Sequence, residues 1–557
     1  MALRLNERTL AVDTIIGEGE AQAVVEGTVS LPDAQPDIDR ALRVRAVPVV
    51  RSVRASDDQV TVEGVVRLDA LYASQFEQPK AAQRAANDED DPFAEEAPEF
   101  YERLVGVDWG EALPFSQVIE VLGAGAETAS QASVRVEAVE YEVGADQRTL
   151  AVDVVLALTG KAVRTESLQA AVGVHGDRQV QTKARELTVQ SRLGRATADV
   201  RATGAITLPE GAADADLVWS ELTASVDHVH LDGSVALVRG RLQGDLIYTS
   251  GPIREPFRVG VYDEVPFEAS LSLGRDCSGA AATARASVCG VKWRLAQDDE
   301  NRPALRLDVG VQIEASALLT QTANVLTELV APADTGVVAT RVTDVELTET
   351  IGTESQTISA AQPLELSSEY LPIERLLSGA ATATIDDVHV LGDKVAVEGY
   401  LDVAVIYVGR GAPGEGDLPQ AAEWPQAINF EAEIDLDGAE PGMQRDVQVR
   451  VNDVQFDLRN RETVDVSAKL TATVAVSRSA AAQIVVEAVE VPAPAPDAPS
   501  YTFLVVQKGD TLWSIAHRFH TDEAAIAAAN PERALDAPLA VGEKLCIPKV
   551  RIEPVAV

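Results

Sequence analysis

Cysteine, histidine and aromatic residues are all scarce in this chain. Three cysteines, Cys277, Cys289 and Cys546, in 557 residues cannot build a disulfide framework, because the single pair they allow is too few to staple a chain of this length. That scarcity is the usage of a reducing compartment. Aromatics make up 4% of the sequence, so its cores must be built from Val, Leu and Ala. Basic residues are outnumbered, 47 Lys and Arg against 88 Asp and Glu, for a formal charge of −41. A field of that sign repels nucleic acid, anionic headgroups and wall polyanions, so no nucleic-acid partner is expected. No apolar run is long enough to span a bilayer, and the first thirty residues hold no uninterrupted apolar core of signal-peptide length. The chain is therefore expected to stay in the cytoplasm.

The motifs of catalysis are missing as well. There is no nucleophile elbow, HExxH, P-loop, helix-opening GxGxxG or CxxC pair, so neither an enzyme nor a cofactor is expected. His228 and His230 share one face of an expected strand beside Asp227, but no third ligand stands at a useful spacing and no metal site is assigned. His517 and His520 are expected to face solvent.

What the chain does have is repetition. Val62-Glu63-Gly64, Val238-Arg239-Gly240 and Val397-Glu398-Gly399 are each followed, eight residues after the glycine, by Tyr72, Tyr248 and Tyr407. Around each lie two alternating apolar runs joined by an Asp- or Gly-bearing turn, which reads as a β-hairpin. A second shared block follows, in which Tyr141, Trp293 and Phe456 stand two residues after Val139, Val291 and Val454, hence on the same face, and are expected to plug a core. The fold class expected is mainly β: three tandem sandwich- or barrel-like repeats over 1–165, 166–320 and 321–485. Ile38 with Leu42, and Ile373 with Leu376 and Leu377, have helical spacing and predict one short helix per repeat. Residues 78–100 form an acidic insertion expected to be a solvated loop. Residues 486–500 are a Pro/Ala linker expected to hold the last module, 501–550, away from the repeats. Unpaired edge strands in tandem β units offer a template for self-association.

The last stretch, YTFLVVQKGDTLWSIAHRFHTDEAAIAAANPERALDAPLAVGEKLCIP from Tyr501 to Pro548, predicts strand, helix, helix, strand. Leu512, Ile515, Ala516 and Phe519 make one buried helical face, Asp510 or Thr511 caps it, Thr521 starts a second helix, and Asn530-Pro531 stops it. Residues 501–550 are nearly balanced in charge, five basic against six acidic residues, so the acidity lies upstream.

This stretch resembles a LysM module, a small βααβ unit that binds N-acetylglucosamine-containing glycans or, in some relatives, a protein. The resemblance implies a groove between two loops, which here map onto Gly509, Asp510, Thr511, Leu512 and onto Asn530, Pro531. Leu31-Pro32 through Pro36-Asp37-Ile38, ahead of paired β blocks, resembles the SPOCS family of endospore-forming bacteria. That family is associated with spore coat assembly, and the second and third copies have drifted from its signature. SPOCS-like units followed by one LysM module imply a mother-cell protein at the forespore surface, whose LysM module meets the basement-layer ATPase of the coat. Peptidoglycan of the cortex or wall is the alternative ligand.

Overall fold

The computed structural model describes residues 4–77, 100–175, 180–330, 337–411, 416–491, 501–519, 521, 523–531 and 538–548. The acidic insertion lies almost wholly outside these residues, as does His520; of the Pro/Ala linker, residues 492–500 lie outside, whereas 486–491 continue the last strand of the third repeat.

The first repeat is built from six strands, β1 (Arg4–Ser30), β2 (Arg40–Ser56), β3 (Gln59–Glu77), β4 (Phe100–Glu120), β5 (Ala129–Val143) and β6 (Thr149–His175). They form two antiparallel three-stranded sheets, ordered β1-β6-β5 and β2-β3-β4. The second repeat follows the same plan with β7 (Gln181–Thr207), β8 (Asp216–Asp232), β9 (Val235–Ser250), β10 (Glu255–Val261), β11 (Pro266–Ser272), β12 (Ala281–Gln297) and β13 (Pro303–Val330). There β10 and β11 pair successive halves of β9, dividing between them the role of β4. The third comprises β14 (Val337–Glu365), β15 (Ile373–Leu391), β16 (Lys394–Gly409), β17 (Leu418–Asp435), β18 (Gln444–Asn460) and β19 (Thr463–Val491). Alternation along each strand sends Val and Leu inward, as at Leu150, Val152, Val154, Leu156 and Leu158, into one core in each of the first two repeats and two adjoining clusters in the third.

Within each repeat the sheet edges close on each other. β2 lies against β5 and β4 against β1, and the same two contacts recur as β8 with β12 and β11 with β7, and as β15 with β18 and β17 with β14. The unit is a flattened, six-stranded barrel, and the edges that could template self-association face each other instead. Close approach at one corner is set by glycine: a Cβ on Gly17 or Gly194 would strike the carbonyl oxygen of Leu122 or Leu273.

The glycine of the recurring Val-x-Gly motif has a similar cause. Gly64, Gly240 and Gly399 each sit directly across from a phenylalanine, Phe115, Phe267 and Phe430. The ring lies over the glycine, and a Cβ there would also meet the carbonyl oxygen of Val49, Ser225 or Thr384 on the preceding strand. The tyrosines eight residues on are buried in their own barrels. The Tyr72 hydroxyl donates to the Pro36 carbonyl at 2.9 Å and the Tyr407 hydroxyl to the Leu371 carbonyl at 3.1 Å.

Among the described residues the repeats contain no helix. The segment 31–39 is a turn, pinned by Arg148, whose guanidinium donates to Asp37 at 2.7 Å and to the carbonyls of Pro32 and Gln35. Ile38 is buried at the end of that turn and Leu42 is the bulged residue of β2, between partners Ala41–Tyr72 and Arg43–Leu71. A turn plus a bulge thus mimics a helical spacing of four. The same bulge recurs at Val218 and at Leu377.

Those bulges join the repeats. Leu42, Val218 and Leu377 meet Leu71, Ile247 and Ile406 in one shared cluster drawn from all three units. A second shared cluster, containing Leu10, Val12, Leu187, Val189, Leu347 and Ile484, gathers the overhanging ends of the long ribbons β1/β6, β7/β13 and β14/β19. The contacts are cyclic: β4 touches β8, β10 touches β15 and β17 touches β2. Arg40 donates to the Pro419 carbonyl at 2.9 Å and Arg375, its counterpart, donates to the Pro256 carbonyl at 2.7 Å. At the third junction Asp216 occupies the arginine's place and pairs with Arg103 at 3.4 Å. The repeats therefore form a closed pseudo-threefold body.

Candidate binding module

The C-terminal module has strand β20 (Tyr501–Val505), helix α1 (Leu512–Arg518), helix α2 (Glu523–Ala529) and strand β21 (Lys544–Pro548), with β20 and β21 antiparallel. Val506, Ile515, Ala516, Ile526, Leu545 and Ile547 form its core, with Leu512 and Phe519 packed against it.

The first expected loop is tightly bonded. Gly509 has φ of +96°, a conformation that glycine adopts without strain. The cap is Thr511: its hydroxyl accepts from the Ser514 amide at 3.0 Å while the Ser514 hydroxyl accepts from the Thr511 amide at 2.8 Å, a reciprocal capping box. Asp510 turns inward, with its side chain 8% exposed. It accepts from the Gln507 amide at 2.9 Å and pairs with Arg518 at 2.7 Å, and these two partners hold its carboxyl below the usual carboxylate range.

Asn530 on the second loop is equally committed. Its amide donates to the carbonyls of Ile526 and Cys546, each at 2.7 Å, and accepts from the Cys546 amide at 2.9 Å. The end of α2 is thereby tied to β21. Pro531 is exposed just beyond. Thr521, expected to cap α2, is buried, and its hydroxyl has no hydrogen-bond partner among the described residues. Asp510, Thr511 and Asn530 thus spend their side chains inside the module, and a ligand at these loops would meet Gly509, Pro531 and backbone.

Tyr501, Phe503 and Val505 are 59%, 76% and 49% exposed, an apolar row on the outer face of β20, and Val541 is exposed as well. Phe503 lies in the first strand expected of this module, and its outward face was not among the expected site positions. The alternation of Tyr501, Phe503 and Val505 against Leu504 and Val506 carried that signal.

In the body, the three aromatics expected as core plugs stand on edge strands: Tyr141 is exposed and Trp293 and Phe456 are half-buried. His228 and His230 are exposed on β8. Among the described residues no group of three or more His, Cys, Asp or Glu side chains is placed to hold a metal ion. All three cysteines are free. No described helix is long and apolar enough to cross a membrane.

Two families of known proteins match parts of this chain. The family model described as SipL, SPOCS domain matches residues 37–144 and 372–459, and the LysM domain model matches residues 504–548. The first begins at Asp37 of the Pro-Asp-Ile turn and covers β2 to β5; the second covers the corresponding strands β15 to β18. The chain thus carries the SPOCS-plus-LysM architecture of SipL, with a middle repeat of the same topology outside the match. LysM points to glycan binding and the SipL domain to a role in sporulation, and both are non-catalytic binding modules. No curated protein and no solved structure matches the chain.

Proposed function

We propose that this protein is a non-enzymatic scaffold of spore coat assembly, in which an acidic three-repeat body carries a LysM module that recruits a protein partner at the forespore surface. The partner assigned is the basement-layer ATPase of the coat, in the mother-cell cytoplasm. The observation that carries the protein-binding reading is the apolar row Tyr501, Phe503 and Val505 on the module's outer sheet face. Exposed aromatic and branched side chains on one face are what a protein interface core is made of. The polar side chains of the two loops, meanwhile, are held by bonds within the module.

Phe503→Ser in the full chain tests this reading, because a residue so exposed can change without loss of core. Capture of the ATPase is expected to fall at least tenfold while the melting curve stays in place. Undiminished capture would remove the role given to this face.

The second reading is peptidoglycan binding, favoured by the LysM match. A single module gains nothing from avidity, which weakens that reading. Retention on purified peptidoglycan, competed by chitin oligomers, would favour it over the first.

A further inference from the structure

The three repeats close their cores around two shared apolar clusters, but they leave a crevice of about 1170 Å³ lined by strands of all three. Its walls are β2 to β5 of the first repeat, β8, β9 and β12 of the second, and β15 and β18 of the third. Five arginines line it, Arg45, Arg67, Arg135, Arg285 and Arg450, against three carboxylates, Asp69, Asp108 and Glu221. The lining therefore sums to +5 − 3 = +2 in a chain of net charge −41. Concave walls focus such a local field.

The cations divide into two kinds. Arg45 is structural: it is bonded to Asp69 at 3.0 Å through Nε and to the Ser220 carbonyl at 2.8 Å, and it stacks over Trp219 at 4.6 Å, welding the first repeat to the second. Arg285 and Arg450 are exposed, and their guanidinium groups have no ion pair or hydrogen bond among the described residues. Arg135 has only Glu137, two residues away on its own strand. The pseudo-threefold relation shows that the cations are spread unevenly over the repeats: Arg135 corresponds to Arg450 and Ser287, Arg285 to Ser133 and Gln448, and Arg67 to Gln243 and Asp402, and Ser287, Gln243 and Gln448 line the same crevice.

We infer that the crevice between the repeats is a binding site for an acidic peptide segment of a partner protein, with Arg285, Arg450 and Arg135 receiving its carboxylates. Guanidinium groups suit carboxylates because their paired N–H groups match both oxygens. The volume exceeds the roughly 300–1000 Å³ of small-molecule pockets, which favours a chain segment. Val288, Val291, Val447, Val449 and Val451 pack against the cores of their own repeats, so the alternating positions Arg285 and Arg450 take the opposite, outward face of β12 and β18. The carboxylates Asp69, Asp108 and Glu221 oppose the denser charge of a polyphosphate. This site is separate from the LysM face and stands whether or not that face binds the ATPase.

The test is titration of the full chain with a fluorescein-labelled octa-glutamate peptide at low salt, followed by anisotropy. Saturable binding is expected despite the net repulsion of the chain, at least tenfold weaker in the Arg285→Glu/Arg450→Glu variant and unchanged in Arg239→Glu. Arg239 is an exposed arginine paired with Glu268 outside the crevice. A melting curve on each variant separates loss of binding from loss of fold, since both arginines of the double variant are exposed. A second variant, Arg135→Glu, provides an independent loss of binding. No saturable binding, equal binding by the double variant, or binding of inorganic polyphosphate in place of the peptide would each overturn the assignment.

Discussion

A single methyl group at Gly64, Gly240 or Gly399 has nowhere to go, because a phenylalanine ring and a carbonyl oxygen of the neighbouring strand already fill that space. Gly399→Ala is expected to cost about 1–3 kcal/mol, the range for forced overpacking, read as a lower denaturation midpoint at unchanged slope. The spacing of glycine and tyrosine was legible in the sequence as a register. Its reason was not, because Phe115, Phe267 and Phe430 lie some 30 to 50 residues away and meet the glycines only once strands pair. In the LysM module the six loop residues Gly509, Asp510, Thr511, Leu512, Asn530 and Pro531 were legible as turn and cap chemistry, yet Asp510 and Asn530 turn inward. Asp510 has a lowered pKa, so its contribution to module stability is present above the unfolded value of about 3.9 and is lost as pH falls through the lower folded value. Amide protection factors across 501–519, taken relative to intrinsic exchange at each pH, are therefore expected to fall below about pH 4 in the full chain, and Asp510→Asn should flatten that dependence. Asn530→Ala removes three bonds at once and should speed exchange at Cys546 at every pH.

Strands and hairpins were readable from period-two alternation, and the helices expected in front of each hairpin were not there. Ile38 and Leu42 look helical in one dimension because a bulge adds one residue to an otherwise alternating count. The long ribbons hold the less visible information. β14 meets β7 at Glu349 opposite Val189, joining the sheets of the second and third repeats into one of six strands. There Glu349, only 8% exposed, accepts from Arg185 at 2.9 Å and from Arg478 at 2.8 Å. An acid on an alternating strand reads as surface, so nothing in the sequence marked it as a junction. Glu349→Ala leaves two guanidinium groups facing each other without their carboxylate. Because both arginines are about 40% exposed, the loss is expected at roughly 1–3 kcal/mol rather than the full value for a buried pair, and salt should reduce it.

The molecule as a whole is three barrels locked in a ring, a relation that tandem repeats in a sequence do not reveal. The family match sees β2 to β5 and β15 to β18 and stops short of the ribbons that build the shared core. A cut near residue 165 would sever β6, which runs on to His175, and one near 320 would sever β13, which runs on to Val330. The body, residues 4–491, is expected to unfold in one transition, whereas residues 4–175 alone expose Leu10, Val12, Leu71 and Leu104 and should aggregate or bind a hydrophobic dye. The proposed recruitment of a protein partner by the module is tested by side-by-side capture with the full chain and with a chain ending at residue 491, on the immobilised basement-layer ATPase and on purified peptidoglycan. ATPase capture is expected from the full chain alone, with neither chain retained on peptidoglycan; equal ATPase capture by both chains, or retention of the full chain on peptidoglycan only, would rule that recruitment out.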